Sequence, residues 1–208
     1  KEIIPLMSFI IAPAIAAIIQ MLFYGVSCSQ VGITVSMVLI SSTDQNNQIL
    51  TDALTGLNNR HSFNKYRDNY MHNHIETELF IMMIDINSFK QVNDKFGHIE
   101  GDRALADVAD VVKQSCEESP AKLFACRYGG DEFLIAGYNC QQDEFMELKK
   151  QINTKLEEKN IMENYPYVLS VSMGTAGSIC QNADDIDNLL RLADEAMYDE
   201  KSKKKTRV

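Results

Sequence analysis

Two consecutive carboxylates, Asp131 and Glu132, directly follow two glycines in the stretch RYGGDEF, which begins at Arg127. A third carboxylate, Asp85, ends the apolar run LFIMMID. If that run is a central strand and the glycines turn a neighbouring hairpin, these acidic groups lie at one edge of a sheet. Converging carboxylates repel each other unless a cation lies between them, and such hard oxygen ligands favour Mg²⁺.

A magnesium ion at this edge would leave coordination positions open for phosphate oxygens, so a nucleoside triphosphate is the substrate that the chemistry suits. The glycines would let the backbone approach that ligand without a Cβ in the way. Gly-Gly-Asp is equally typical of an ordinary turn, so the spacing alone leaves both interpretations open.

The elements that must position these groups follow from alternating strand-like and helix-like patterns. After a first helix over residues 60–74, the order is strand, helices, two strands, helix, strand and helix. The apolar run at 79–85 predicts a strand buried on both faces, and the period of apolar residues predicts a helix over 101–116. This order predicts an α+β fold with a mainly antiparallel sheet flanked by helices.

An apolar segment precedes this domain. Residues 3–24 carry no charge, and that length as a helix is about what crosses a ~30 Å hydrocarbon layer. With the second apolar run at 31–40, the pattern predicts transmembrane helices over residues 1–42, at the end of a larger membrane region. A connector over 43–53 and a folded domain over 54–208 follow. The alternative is a buried helical hairpin in a soluble protein.

Composition excludes several classes of function. The net charge is −9 at pH 7, and the basic residues cluster only at the C-terminal end, so we expect no nucleic-acid partner. On this pattern alone, that basic end is a solvated tail. The five cysteines show no C-x-x-C or Cys/His ligand spacing, which argues against a disulfide framework and a zinc site.

Four motifs together give a specific resemblance. RYGGDEF resembles the signature of the GGDEF family of diguanylate cyclases, which condense two GTP molecules into cyclic di-GMP. Three further segments are similar to family motifs in the family's order: DALTGLNNRHSF from residue 52, MIDINSFKQVNDKFGHIEGD from residue 83 and ADEAMYDEK from residue 193. The resemblance covers about residues 50–208. It implies a sheet like that of nucleotide cyclases and the polymerase palm.

The resemblance implies a metal site at the acidic residues. Asp85, Asp131 and the backbone carbonyl of Ile86 would ligate Mg²⁺, with Mn²⁺ as an alternative, and Glu132 would lie close to a second ion. Asp131 is also the candidate that deprotonates the ribose 3′-hydroxyl, although metal ligation lowers the basicity of a carboxylate and the metal itself can do that work.

The same resemblance implies a guanine-reading pair, Asn93 and Asp102. A carboxylate accepts hydrogen bonds from the N1–H and N2–H₂ donors that adenine lacks, and a carboxamide both donates and accepts. Without the family motif, each residue would be read as a helix cap. His98 would also contact the substrate.

Basic residues would hold the phosphates. Lys90 is the candidate that stabilises charge developing on them, and Phe89 and its backbone lie near them. Lys201 and Lys205 match basic positions of the family's closing helix that hold the triphosphate, so part of the basic tail faces a ligand. Lys205 stands where the family more often has Arg, which keeps the charge and loses the bidentate geometry.

The resemblance also bears on regulation and location. The family's R-x-x-D product-inhibition motif is replaced here by Pro120 and Leu123, so we expect no high-affinity feedback site. One domain of this family binds one GTP, which implies catalysis by a homodimer. With the apolar N-terminal segment, it implies a protein of the bacterial inner membrane with its catalytic domain in the cytoplasm.

Two other functions stay open. One is a GTP-binding signalling or scaffold domain that has lost turnover, and the other is a structural, membrane-anchored domain with an acidic hairpin. The structural domain predicts no metal-dependent GTP binding, whereas the signalling domain predicts binding without product.

Overall fold

The computed structural model of this chain describes residues 3–22, 30–38, 50–74 and 76–205. Two compact units divide the chain, Lys1–Leu50 and Thr51–Val208. In the first unit, helix α1 is Ile3–Leu22, and the described part of helix α2 covers residues 30–38. Within α2, the Ser36 hydroxyl donates to the Gly32 carbonyl at 3.0 Å.

The prediction of transmembrane helices in residues 1–42 is not supported. In the ranges that the structure describes, no helix is long and apolar enough to cross a membrane. Residues 1–2, 23–29 and 39–42 of that prediction lie outside the described residues, as do residues 43–49 of the predicted connector. The location at the bacterial inner membrane stays a prediction.

The second unit contains every motif of the sequence. Its elements in chain order are β1 (Asn58–Asn59), α3 (Arg60–Asn73), β2 (Glu78–Ile86), α4 (Phe89–Phe96), α5 (His98–Glu118), β3 (Phe124–Arg127), β4 (Glu132–Tyr138), α6 (Gln142–Glu163), β5 (Val171–Ile179) and α7 (Ala183–Lys205). From β2 onward this is the predicted order, with the predicted helices between β2 and β3 resolved as α4 and α5.

The five strands form one sheet in the order β1-β3-β4-β2-β5. All neighbours are antiparallel except β1 and β3, which confirms a mainly antiparallel sheet. Strand β2 lies inside the sheet and pairs with both β4 and β5, while β5 forms one edge. The predicted β3–β4 hairpin, with the Gly129–Gly130 turn at its tip, is also confirmed.

Helices cover both faces of the sheet, and β2 supplies apolar side chains to each. Its even-numbered residues from Phe80 to Ile86 join one core, with side chains of α5 and α6. Its odd-numbered residues from Leu79 to Met83 join the other core, with side chains of α3 and α7. Since Asp85 continues the odd series, it lies on the α7 face of the sheet.

Some elements differ from the sequence prediction. Strand β1 is not predicted, because its two asparagines show no apolar alternation and it forms by pairing with β3. Helix α5 begins at His98 instead of residue 101, directly after Gly97, whose φ of 87° interrupts the helical path from α4. Thr51, assigned to the connector, forms an isolated bridge with Asn58 in the second unit.

Candidate active site

The carboxylates lie where three strands end together. Asp85 pairs with Glu132 at the start of β4 and with Ser172 in β5. Directly opposed residues point to the same face, so the side chains of Asp85 and Glu132 share the α7 side of the sheet. The backbone N–H of Ile86 donates to the Asp131 carbonyl at 3.2 Å, which fixes the tip of the hairpin to the end of β2.

A basic residue of α7 completes this group. The Lys201 ammonium donates to the Asp85 carboxylate, with 2.5 Å between Nζ and Oδ1. Asp85 is 7% exposed, so its charge is nearly removed from water and needs a partner. In this structure Lys201 is such a partner, from a helix more than a hundred residues along the chain.

The side chain of Glu132 folds back over the glycine turn. A Cβ added at Gly129 would lie 2.5 Å from its Oε2, whereas one at Gly130 would meet nothing within 4 Å. Burial raises the pKa of the Glu132 carboxyl, and the charges of Asp131, Asp85 and Asp194 raise it further, against an opposing effect of Lys201. The site is therefore short of positive charge.

The glycine turn is held by Arg127. Its guanidinium donates to the Gly130 carbonyl, at 2.7 Å from Nη2 and 3.1 Å from Nε, and to both carboxylate oxygens of Asp52 at 3.2 Å. Asp52 also accepts from the backbone N–H and hydroxyl of Thr55. Burial alone would raise the pKa of the Asp52 carboxyl, but these hydrogen bonds from Thr55 and Arg127 outweigh it and lower the pKa.

We expect Arg127→Ala to lower the free energy of unfolding by about 2 kcal/mol, because it removes charged hydrogen bonds and leaves Asp52 without its cation. Chemical denaturation measures this value. The matched control is Arg67→Ala, which breaks a more exposed pair with Asp187 and is expected to cost under about 0.5 kcal/mol. Equal losses in the two variants would contradict the role given to Arg127.

The predicted guanine-reading residues lie at the corner between α4 and α5. The Asn93 side chain packs on Gly101, where an added Cβ would lie 2.0 Å from its Oδ1. The Gly97 N–H donates to the Asn93 carbonyl at 2.9 Å, so the corner itself orients this residue. Asp102 directly follows Gly101 and is exposed, which leaves its carboxylate open to a ligand.

The remaining predicted site residues surround this corner and α7. Lys90 and His98 are exposed in the first turns of α4 and α5, and Phe89 is half-buried at the start of α4. Lys205 ends α7, four residues after Lys201, and its side chain lies outside the described residues. The structure thus brings Asp85, Glu132 and Lys201 together, with Ile86 at the end of β2 and Asp131 at the tip of the hairpin. The other predicted residues lie on helices α4, α5 and α7.

The donor atoms at the β2 end suit a hard divalent cation, since carboxylate oxygens are its preferred ligands. Among the described residues, no three His, Cys, Asp or Glu side chains are placed to hold a metal by themselves. Mg²⁺ commonly takes one or two carboxylates and completes its shell with water and phosphate oxygens. The residues therefore fit a metal whose shell a bound triphosphate completes.

Two cavities of the domain lie elsewhere. One of about 400 Å³ is lined by residues of β1, the end of α5 and the α5–β3 loop, including Leu123. Another of about 260 Å³ includes Pro120 and the start of α6. Neither contains a predicted site residue, and each holds one of the two residues that replace the R-x-x-D pair. Neither of these two cavities therefore marks the predicted site, whose carboxylates lie at the end of β2.

Sequence reasoning missed several contacts around the site. The sequence pattern assigns no role to Asp52. Its spacing to Thr55 is nevertheless typical of a side chain that accepts a hydrogen bond from the backbone N–H three residues later. The charge of Asp194 in α7 raises the pKa of the Glu132 carboxyl. This effect depends on the packing of α7 on the sheet, which the sequence pattern does not show. Asn87, next to Ile86, accepts from the buried Ser172 hydroxyl at 2.7 Å.

Comparison with known proteins agrees with this geometry. The family model described as "Diguanylate cyclase, GGDEF domain" matches residues 49–207. Diguanylate cyclase A of Treponema denticola is 33% identical over 174 residues, which cover 78% of this chain and 46% of that protein. Cyclic di-GMP phosphodiesterase PdeR of Escherichia coli is 33% identical over 148 residues, which cover 71% of this chain and 22% of that protein.

A solved structure shows the same architecture. The GGDEF domain of DgcB from Caulobacter crescentus, in complex with c-di-GMP, is 27% identical with a TM-score of 0.64, and the match covers 74% of this chain and 90% of that one. The chain spans less than half the length of the two curated relatives above. The family match covers most of the chain and every motif of the site. This chain therefore belongs to the GGDEF family of diguanylate cyclase domains.

Proposed function

We propose that this protein is a Mg²⁺-dependent diguanylate cyclase that condenses two GTP molecules into cyclic di-GMP and two pyrophosphates. The single observation that carries the proposal is the edge where Asp85 and Glu132 oppose each other, with the Lys201 ammonium on Asp85. At this edge, a carboxylate that can ligate a metal is in direct contact with an ammonium group that can bind phosphates. The family's activity supports the same conclusion.

The carboxylates of Asp85 and Asp131 and the backbone carbonyl of Ile86 would hold the metal, and Glu132 would lie close to a second ion. When bound, Mg²⁺ neutralises phosphate charge and lowers the pKa of a hydroxyl that it contacts. Asp131 accepts the proton of the ribose 3′-hydroxyl. The backbone of Asp131 is held in place because its carbonyl accepts a hydrogen bond from the Ile86 N–H. Its side chain is partly exposed, so a substrate can reach it.

The lysines act on the triphosphate. When the substrate binds, the Lys201 ammonium leaves Asp85 and contacts a phosphate oxygen. The Asp85 carboxylate can then ligate the metal. Lys205 adds a second cation one turn along the same side of α7. Lys90, near Phe89 at the start of α4, stabilises charge that develops on the phosphates during bond formation.

The α4–α5 corner reads the base. Asp102 accepts from the N1–H and N2–H₂ donors of guanine, and the Asn93 carboxamide, held against Gly101, both donates and accepts. A site built to accept from these donors disfavours adenine, because adenine has no N1–H or N2–H₂ to donate to the carboxylate. His98, exposed at the same corner, contacts the substrate.

Two copies of the domain are required for the reaction. Each copy presents one GTP, and the 3′-hydroxyl of each nucleotide attacks the α-phosphate of the other with loss of pyrophosphate. The homodimer supplies the effective concentration and the orientation that this double attack needs. Since Pro120 and Leu123 offer neither the charge nor the hydrogen bonds of an R-x-x-D motif, the product does not bind tightly there.

A GTP-binding signalling domain without turnover is the second candidate. The observation that favours it is the direct Lys201–Asp85 ion pair, which occupies a predicted metal ligand. If that pair persisted with GTP bound, the protein would bind nucleotide without completing its metal site.

Incubation of the full chain with GTP and MgCl₂ distinguishes the two. The cyclase predicts cyclic di-GMP, identified by mass spectrometry, and its disappearance in Asp131→Asn. GTP binding measured by calorimetry, without any dinucleotide in prolonged incubations, would overturn the cyclase in favour of the signalling domain.

The two adjacent glycines provide a further prediction. We expect Gly129→Ala to lower the rate of cyclic di-GMP formation by about a hundredfold, because its Cβ displaces the Glu132 carboxylate by roughly an ångström. Gly130→Ala is the matched variant, since its Cβ meets no protein atom, and its loss should be smaller. Initial rates at saturating GTP measure both. A larger loss in Gly130→Ala than in Gly129→Ala would show that Glu132 is not the sensitive group.

A further inference from the structure

Strand β5 is an edge of the sheet, and lysines from two helices cover its outward carbonyls. The Lys149 ammonium of α6 donates to the Met173 carbonyl at 2.7 Å, and the Lys204 ammonium of α7 donates to the Val171 carbonyl at 2.7 Å. Unpaired edge carbonyls otherwise invite pairing with another chain, and Lys side chains are a common way to cover them. The two carbonyls are successive ones on the free side of β5.

Glu200 joins the two lysines. One of its carboxylate oxygens accepts from Lys149, and the other accepts from Lys204 at 2.7 Å. Burial alone would raise the pKa of the Glu200 carboxyl, but the hydrogen bonds from both lysines outweigh it and lower the pKa. We call Lys149, Glu200 and Lys204 the β5 clamp. It connects α6 on one face of the sheet to α7 on the other.

The clamp holds the turn of α7 that carries a site residue. Glu200 directly precedes Lys201, whose ammonium lies on Asp85 at 2.5 Å. One turn earlier, α7 packs its backbone on Gly174 of β5, where an added Cβ would lie 2.1 Å from the Met197 N atom. The helix is thus held by close packing at Met197 and by charge at Glu200.

We propose that the β5 clamp positions Lys201 for the triphosphate, so that Lys149, on the opposite face of the sheet from the carboxylates, is a positioning residue of the nucleotide site. This inference rests on the proposed function. Lys149 contacts Met173 and Glu200 and reaches the substrate only through α7. Without it, Glu200 loses the partner that ties α7 to α6, and of the two ammonium groups of the clamp only that of Lys204 still contacts its carboxylate.

The negative charge of Glu200 also affects the position of Lys201. Three ammonium groups, those of Lys149, Lys201 and Lys204, contact the carboxylates of Glu200 and Asp85. Neutralising Glu200 leaves Lys149 and Lys204 facing each other without the anion between them, and like charges at that distance repel. The end of α7 would then move away from β5, and Lys201 would move with it.

The variants that test the clamp are Lys149→Met and Glu200→Gln, with Glu195→Gln as the matched control. Glu195 forms an exposed pair with Arg191 on the same helix, at 2.5 Å, and is not part of the clamp. For each variant of the full chain, calorimetry gives the Kd of GTP with Mg²⁺, and initial rates give kcat and KM separately.

We expect each clamp variant to raise the Kd and KM of GTP about tenfold while kcat changes less than about threefold, because phosphate binding is lost and the carboxylates remain. The double variant should lose little more than Glu200→Gln alone, since both single variants already remove the Lys149–Glu200 bond. Lys149→Arg keeps the charge and should restore GTP affinity to within about threefold. Glu195→Gln should leave the Kd within about twofold.

A clamp that only stabilised the fold would lower the melting temperature of Lys149→Met and Glu200→Gln without changing the Kd of GTP, and this result would overturn the inference. Additive losses in the double variant would also overturn it. If the parent chain binds GTP and the clamp variants bind it equally well, only this inference fails. If the parent chain binds no GTP, the proposed function fails and the inference fails with it.

Discussion

Replacing Asp85 with asparagine is expected to lower the rate of cyclic di-GMP formation by about a thousandfold, or about 4 kcal/mol of activation free energy. The amide has nearly the same shape as the carboxylate, so the packing at the end of β2 is retained. It lacks the charge that a divalent cation needs, and it also lacks the charge that holds Lys201 at 2.5 Å before substrate binds. Rates at saturating GTP and Mg²⁺ measure the effect.

Asp187→Asn is the matched control for this change, because it makes the same carboxylate-to-amide replacement at an exposed pair on α7. Its rate should equal that of the parent chain. The unfolding transitions of both variants verify that the domain is folded. An Asp85→Asn variant that kept more than about a tenth of the parent rate would contradict metal binding at this carboxylate.

Replacing Gly174 with alanine is expected to lower the free energy of unfolding by about 3 kcal/mol. An added Cβ would lie 2.1 Å from the Met197 N atom and 2.2 Å from the Ala193 carbonyl oxygen. These are backbone atoms of α7, so no side-chain rotation relieves the overlap and the helix must move. Because α7 carries Lys201, we also expect the Kd of GTP to rise by about tenfold or more.

Gly130→Ala serves as the comparison for stability, since its Cβ meets no atom within 4 Å and the change should cost under about 0.5 kcal/mol. Urea denaturation gives both free energies. If Gly174→Ala were as stable as Gly130→Ala, α7 would not pack on β5 as closely as the structure shows.

Much of the fold follows from patterns within short segments. Strand β2 is predictable because residues 79–84 are apolar on both faces, and the β3–β4 hairpin is predictable because Gly129 and Gly130 separate two strand-like runs. Strand β1 is not predictable in this way, since Asn58 becomes a strand residue only by pairing with Cys126. The apolar N-terminal run shows the opposite failure, because its composition predicts membrane helices that the described residues do not support.

The candidate site is likewise predictable from the sequence only in part. The end of a buried strand and the tip of a hairpin predict that Asp85 and the Asp131–Glu132 pair share one edge. The pairing of Asp85 with Glu132 and the bond from the Ile86 N–H to the Asp131 carbonyl place them there. The contact of Lys201 with Asp85 depends on the packing of α7, and the sequence indicates it only through the family motif. The bond between Lys149 and Glu200 has no local signal at all, because it joins two helices around the edge of β5.

The most direct test of the account is the stoichiometry of the reaction on GTP. The full chain, incubated with GTP and Mg²⁺, should release two pyrophosphates for each cyclic di-GMP formed, and the same incubation with ATP should yield neither product. This result requires the metal edge, the guanine-reading corner and two copies of the domain to act together. GTP binding without pyrophosphate release, or equal turnover of ATP, would contradict the account.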